Sequence, residues 1–249
     1  MSEIKINNTD KQNISALEIF LLGLIIVFTI ALVLISQKTS GIILFDSLSE
    51  VVNKQIVYQS STLLLSFLFL AILFVTKKDA FRTYFKKGDT AAPIIPEPYV
   101  GIKPKEGENW SHIGKNFAVV VSLVTGVVIY FQLFKDSGIG ASTILKVLPF
   151  SILFALSNSF VEEVITRLGV VLTFKNVLSD KLIPFISAVI FGTVHYWGNP
   201  GGLTGVLVAG FLGWLLAKSI IETKGIFWAW LIHFLQDVII FCALLSLSA

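Results

Sequence analysis

Residues 17–36 read LEIFLLGLIIVFTIALVLIS, a run whose one ionisable side chain, Glu18, stands at its start. A bilayer core about 30 Å thick takes roughly 20 apolar residues of helix to cross, so this stretch is long enough to span. It also exceeds the roughly 7–15 apolar residues of a cleavable signal sequence. Ser15, with Glu18 three positions on, has the pattern of a helix-opening capping box. We read the segment as a membrane anchor. Further apolar runs lie near 60–76, 117–134, 143–174, 182–197, 203–221 and 226–247. The expected fold is therefore an all-α polytopic bundle of seven spans, or eight if the mixed stretch 42–57 adds a partial helix. The run 143–174 is too long for a simple span and is expected to tilt, break or begin outside the bilayer; 182–197 is short.

Composition agrees. The 249 residues are 55% hydrophobic and 14% charged, with mean hydropathy +0.83, against about 45–50% and 25% in soluble domains. The net charge of +3 is small and scattered, which argues against a nucleic-acid partner and leaves the lipid bilayer as the first one. A single cysteine, Cys242, excludes an intrachain disulfide.

Basic residues orient the chain. Segment 77–116 carries Lys77, Lys78, Arg82, Lys86, Lys87, Lys103, Lys105 and Lys115, and the positive-inside rule makes it cytoplasmic. Alternating spans then put Lys5, Lys11, Lys175, Lys181, Lys218 and Lys224 inside, and Lys38, Lys54 and Lys135 outside. The amino terminus is expected in the cytoplasm, and the pattern suits a bacterial plasma membrane. Residues 88–110, with Pro93, Pro96, Pro98 and Pro104, read as an extended connection. We divide the chain into anchor helices and this connection, 1–116, and a membrane domain, 117–249. Gly201, Gly205, Ala209, Gly213 and Ala217 recur every four residues, a small-residue stripe that lets helices approach closely.

Six ionisable residues lie away from span ends: Glu162, Glu163, Arg167, His195, His233 and Asp237. Each costs roughly 2.5–3.5 kcal/mol at a helix centre on insertion scales, so each must pair, line water or do work. Glu163 and Arg167 are four apart, the spacing at which helical side chains meet. Glu162 points about 100° away around the helix, without that partner, and is the carboxyl left free to exchange a proton. Phe191 shares a helix face with His195, and His233 with Asp237. Pairing accounts for two of the six, so a functional polar site is the better reading. His112 lies in the polar connection and reads as a solvated residue. Counted from the cytoplasmic ends, Glu162 and His195 lie at similar depth, and His233 is some 10 Å shallower at 1.5 Å per residue.

Glu162-Glu163-Val164-Ile165-Thr166-Arg167 resembles the EExxxR signature of the type II CAAX endopeptidase and bacteriocin-processing (CPBP) family of membrane proteases. Phe191–His195 resembles its FxxxH element, and His233–Asp237 its final HxxxN or HxxxD element. The likeness covers about 140–249. It implies cleavage of a peptide bond within the membrane, with Glu162 and His195 activating water, His233 and residue 237 stabilising the oxyanion, and Glu163 and Arg167 holding the site together. An ionised Asp237 cannot donate a hydrogen bond as an asparagine would; a protonated one can, and otherwise it orients His233. No cofactor is required on this reading. The alternative is zinc held by His195, His233 and Asp237, with one open position, although the HExxH spacing of soluble zinc proteases is missing.

Three classes stay open: an intramembrane peptidase acting on a peptide or membrane protein, prenylated or not; an ion-coupled transporter; and a non-catalytic immunity or regulatory protein of the same fold. A transporter commonly shows paired halves, and none is visible. A peptidase of this kind predicts a polar cavity opening toward the cytoplasm.

Overall fold

The computed structural model describes residues 13–198 and 201–248; Lys5 and Lys11, assigned above to the inner side, lie outside the described residues. Helix α1, Ala16–Lys38, opens as expected: the Ser15 side chain accepts from Leu17 N–H, and Glu18 returns to Ser15 N–H at 2.8 Å. Glu18 also pairs with Lys77 at the end of the next span, so the two helices are pinned at the same membrane face.

Helix α2, Glu50–Thr76, starts ten residues before the span expected at 60. The second half of the mixed stretch is thus the first turns of α2, and the stretch adds no eighth span. Ser49 caps the start, its side chain accepting from Val52 N–H, and Asn53 holds the turn before it. Its amide accepts from the N–H groups of Leu44 and Phe45 at 2.9 and 2.8 Å and donates to Phe45 O at 2.9 Å, tying the preceding turn to the helix. A short α3, Lys78–Tyr84, follows, and α4, Trp110–Ile129, continues as a π-helical turn, Tyr130–Phe134. Helix α5, Ala141–Glu162, runs through a π-helical segment, Glu163–Leu168, into α6, Gly169–Phe174. The long apolar run is therefore one uninterrupted helix of 34 residues, about 50 Å at 1.5 Å per residue. Helix α7, Leu182–Val194, ends in a 3-10 turn, His195–Trp197, and is followed by α8, Gly202–Thr223, and α9, Phe227–Ser246.

Among the described residues six helices are long and apolar enough to cross a membrane, and Leu182–Trp197 is a shorter apolar one. The protein is an all-α polytopic membrane bundle. Its outer faces carry large apolar side chains such as Leu64, Leu123, Phe131, Leu203 and Leu207, each more than half exposed. In water such a belt would be a liability; against lipid it is the ordinary solvent-facing surface.

Helices α7 and α8 form a tightly packed hairpin, and α9 packs on α4 and α5. The small-residue stripe makes the hairpin possible. Gly205, Ala209, Gly213 and Ala217 are buried, while Gly201 is the exposed residue preceding α8. A β-carbon at Gly192 would meet the α8 backbone at Val206 O, 2.7 Å away, so α7 and α8 lie backbone to backbone there.

The connection read as 88–110 is largely extended, with one 3-10 turn at Pro98–Val100, but it is docked. Ala92, Ile94 and Ile102 join the main core. Asp89 N–H donates to Thr223 O at 2.8 Å, Ile226 N–H to Lys86 O at 2.9 Å, and Trp228 Nε1–H to Thr90 O at 3.0 Å. Gly88, at φ +78°, lies against Gly225 so closely that a β-carbon on Gly225 would fall 2.3 Å from Lys87 O. Only glycine fits both positions. The connection thus closes over the α8–α9 turn.

Candidate active site

The π-helical segment carries the first motif. A π turn widens the helix by one residue and commonly sits at functional places; here it runs from Glu163 to Leu168 and holds both Glu163 and Arg167. Both side chains are fully buried, and Arg167 Nη1 lies 3.3 Å from Glu163 Oε1, the pair expected from their spacing. The guanidinium carbon of Arg167 stands 3.4 Å from the ring centroid of Phe191, and Nη1 donates to Thr166 Oγ1 at 2.9 Å. Phe191 also packs against His195, with ring centroids 4.2 Å apart, and meets His233 edge-on at 5.9 Å. One aromatic ring therefore spaces the three cationic or imidazole groups.

His233 is the centre of the cluster. Its Nδ1 is 2.7 Å from Glu163 Oε1, and its Nε2 lies 3.5 Å from Glu162 Oε2 and 3.6 Å from Asp237 Oδ1. The depth mismatch expected for His233 is absent, although α9 starts no earlier than foreseen; the packing of α9 on α5 brings it level. Two expectations change. Glu163 is shared between Arg167 and His233 and is no simple ion-pair partner. Glu162 is not left alone, because Asn158 Nδ2 donates to its Oε1 at 3.2 Å and to Asp237 Oδ2 at 3.0 Å. Sequence reasoning missed Asn158; an amide one turn before Glu162 on the same helix was the available signal.

A cavity of about 240 Å³ opens beside the cluster. Glu162, Thr166, Phe191 and His195 line it, with Tyr58 of α2 and the outer turns of α1 from Thr29 to Gln37. Of the three clustered carboxylates only Glu162 lines it; Glu163, Asp237 and His233 are buried behind, with His233 4% exposed and Asp237 5%. His195 and Glu162 share the cavity wall. His195 Nδ1–H donates to Phe191 O at 2.8 Å, because a carbonyl only accepts. In the neutral ring Nε2 is then the nitrogen with a lone pair. Tyr58 was also missed: nothing local marks it, and only the bundle brings α2 to this wall.

The cavity does not open toward the basic connection 77–109. Its exposed lining residues, Gln37, Trp197 and Gly198, all stand at the far ends of α1 and α7, against the expectation of an opening on the basic side. The reason is the docked connection, which caps that end. As for zinc, no three His, Cys, Asp or Glu side chains converge as a metal-binding group among the described residues. His195 is not among the partners of His233 and Asp237, so the alternative ligand set lacks a common centre, and we derive no step through a metal.

Residues 143–239 match the Rce1-like family, described as type II CAAX prenyl endopeptidase Rce1-like. No curated protein and no solved structure matches the chain. All six residues singled out from sequence fall inside the matched segment.

Proposed function

We propose, from the premise of an Rce1-like CAAX-protease domain over residues 143–239, that this integral membrane protein is an endopeptidase in which Glu162 activates water. The observation that carries this reading is that Glu162 alone among the clustered carboxylates reaches the cavity, while Glu163, His233 and Asp237 stand behind it. Such a layout supplies one acid–base group with access to substrate and a buried frame that fixes its position.

In the proposed reaction a water in the cavity gives its proton to Glu162, and its oxygen bonds to the scissile carbonyl carbon. His195 Nε2 accepts a hydrogen bond from the water's remaining O–H, which stays intact, and so orients the attacking lone pair. The tetrahedral oxyanion needs a donor aimed at its charge. His233, expected for that role, is shielded by Glu162, and the hydroxyl of Tyr58 is a donor that lines the same cavity. Collapse breaks the C–N bond, and the proton held on Glu162 passes to the leaving amine. Arg167, Glu163, His233, Asp237 and Asn158 are positioning residues. Substrate is a peptide or membrane protein, and the membrane is a bacterial plasma membrane with the amino terminus inside.

The test compares purified wild type and Glu162→Gln on a membrane proteome, reading new termini by mass spectrometry. Termini present only with wild type support the peptidase. Identical termini from both would remove Glu162 catalysis and leave the non-catalytic membrane partner as the reading.

A further inference from the structure

The cavity and the basic residues lie at opposite ends of the bundle. Along α1 the cavity wall runs from Thr29 to Gln37, about 12 Å at 1.5 Å per residue, and ends at the helix terminus away from Glu18 and Lys77. Tyr58 is on the first third of α2, which belongs to the same end, and Trp197 closes α7 there. Gln37 and Trp197 are exposed at the mouth.

The other end is closed. Val164, Ile165, Leu168, Ala229 and Ile232 have no exposed surface and form a dry layer between the cluster and the α8–α9 turn. Beneath it the docked connection is fastened by Glu222, which accepts from Ile95 N–H at 3.2 Å and Trp110 Nε1–H at 2.8 Å and pairs with Lys218. Three further cavities lie on this side, lined by residues such as Pro184, Trp214, Asp89, Lys224 and Lys103, and none touches a residue of the site.

This closed end is the basic one. Lys77, Lys78, Arg82, Lys86, Lys87, Lys103, Lys105, Lys115, Lys175, Lys181, Lys218 and Lys224 lie on it, against Lys38, Lys54, Lys135 and Lys146 toward the other. Such asymmetry places the basic end in the cytoplasm.

We infer that the site is entered from the extracytoplasmic side, so that its substrate is an extracytoplasmic segment of an exported or membrane-anchored polypeptide. A cytoplasmic carboxyl-terminal tail would meet the capped end. The inference rests on the peptidase reading for what happens to the segment, and on charge and cavity geometry for the side it comes from.

Single cysteines placed in a Cys242→Ala background separate the two. Gln37→Cys reports the cavity mouth and Lys103→Cys the basic connection; both positions are exposed, so neither change disturbs the core. A membrane-impermeant polyethylene-glycol maleimide is applied to intact cells and to inverted membrane vesicles. The expected result is labelling of Gln37→Cys in cells and of Lys103→Cys only in inverted vesicles. Labelling of Lys103→Cys in cells, or of Gln37→Cys in inverted vesicles alone, overturns the inference. A peptide library is then offered to spheroplasts and to inverted vesicles carrying wild type or Glu162→Gln. Glu162-dependent cleavage in spheroplasts, lost by at least tenfold after Gln37→Cys is capped with the maleimide, supports the entry side. Glu162-dependent cleavage in inverted vesicles alone overturns it while leaving the peptidase standing. Expected labelling with no Glu162-dependent cleavage on either side upholds the entry side and overturns the peptidase.

Discussion

Two buried charge clusters share a construction and differ in use. Each is built on an acid and a base four residues apart: Glu163 with Arg167 at the cavity, and Lys218 with Glu222 near the basic end. At the basic end the groups are spent on structure. Lys218 pairs with Glu222 and lies 3.8 Å from Glu97, and the remaining capacity of Glu222 goes to Ile95 N–H and Trp110 Nε1–H. At the cavity there is a surplus. Three carboxylates surround one histidine and one arginine, and Glu163 Oε2, Arg167 Nε and Arg167 Nη2 have no protein partner among the described residues. Burying charge costs several kcal/mol per ion unless partners repay it. A cluster that repays it fully is a fastener, and one that keeps an excess acid at the edge of a cavity is suited to moving protons.

The widest predicted gap between the two lies in rate. Glu162→Gln keeps the shape of a side chain that is only partly buried and lowers cleavage by about 10²–10⁴-fold, the usual worth of a general base; Glu222→Gln leaves the rate per folded molecule nearly unchanged. Quantitative mass spectrometry of the new termini reads both, and equal losses would erase the distinction.

Stability comes next. Arg167→Met leaves the carboxylate cluster without its guanidinium and is expected to cost about 3–5 kcal/mol, the scale for breaking a buried pair, as measured by unfolding in detergent. Arg167→Lys recovers only part, since an ammonium cannot reproduce the flat stacking on Phe191. Glu222→Ala should cost less, about 1–3 kcal/mol for the donors left unsatisfied. Its specific sign is faster tryptic cutting at Lys103 and Lys105 as the connection undocks. Unchanged cutting would mean that Glu222 is no fastener.

The smallest effects refine the cavity cluster itself. Asp237→Asn keeps an acceptor for Asn158 and is expected to change the rate only a few-fold, whereas Asp237→Ala removes the support and loses more. A chelator is expected to leave cleavage intact; loss with restoration by zinc would reassign the chemistry to a metal.

Much of this was legible beforehand because the relevant physics is local. Apolar runs of span length declare helices, since lipid forces backbone groups to bond within the segment. Ser15 and Glu18 declare where α1 begins. The i,i+4 spacings of Glu163 with Arg167, Phe191 with His195 and His233 with Asp237 survive into the structure because each pair sits on one helix. Other features depend on contacts between elements far apart in sequence. Asn158 mattered only once α9 brought Asp237 to it, and Tyr58 only once α2 stood at the cavity. The 42–57 stretch is ambiguous by hydropathy alone, and the turn anchored by Asn53 settles its second half as the start of α2.

By itself, then, the sequence determined a polytopic helical protein, the six ionisable residues that lipid does not tolerate idly, and the end of the bundle that carries the positive charge. Tertiary structure alone decided that His233 joins all three carboxylates, that Glu162 is the one facing open space, and that the opening lies away from the basic connection. The division has a physical cause. Solvation by lipid and the pitch of a helix act residue by residue, so they can be read along a chain. Access to a buried site depends on which surfaces close over it, and here that closure is made by Gly88 against Gly225 and Glu222 on Trp110, contacts separated by more than a hundred residues.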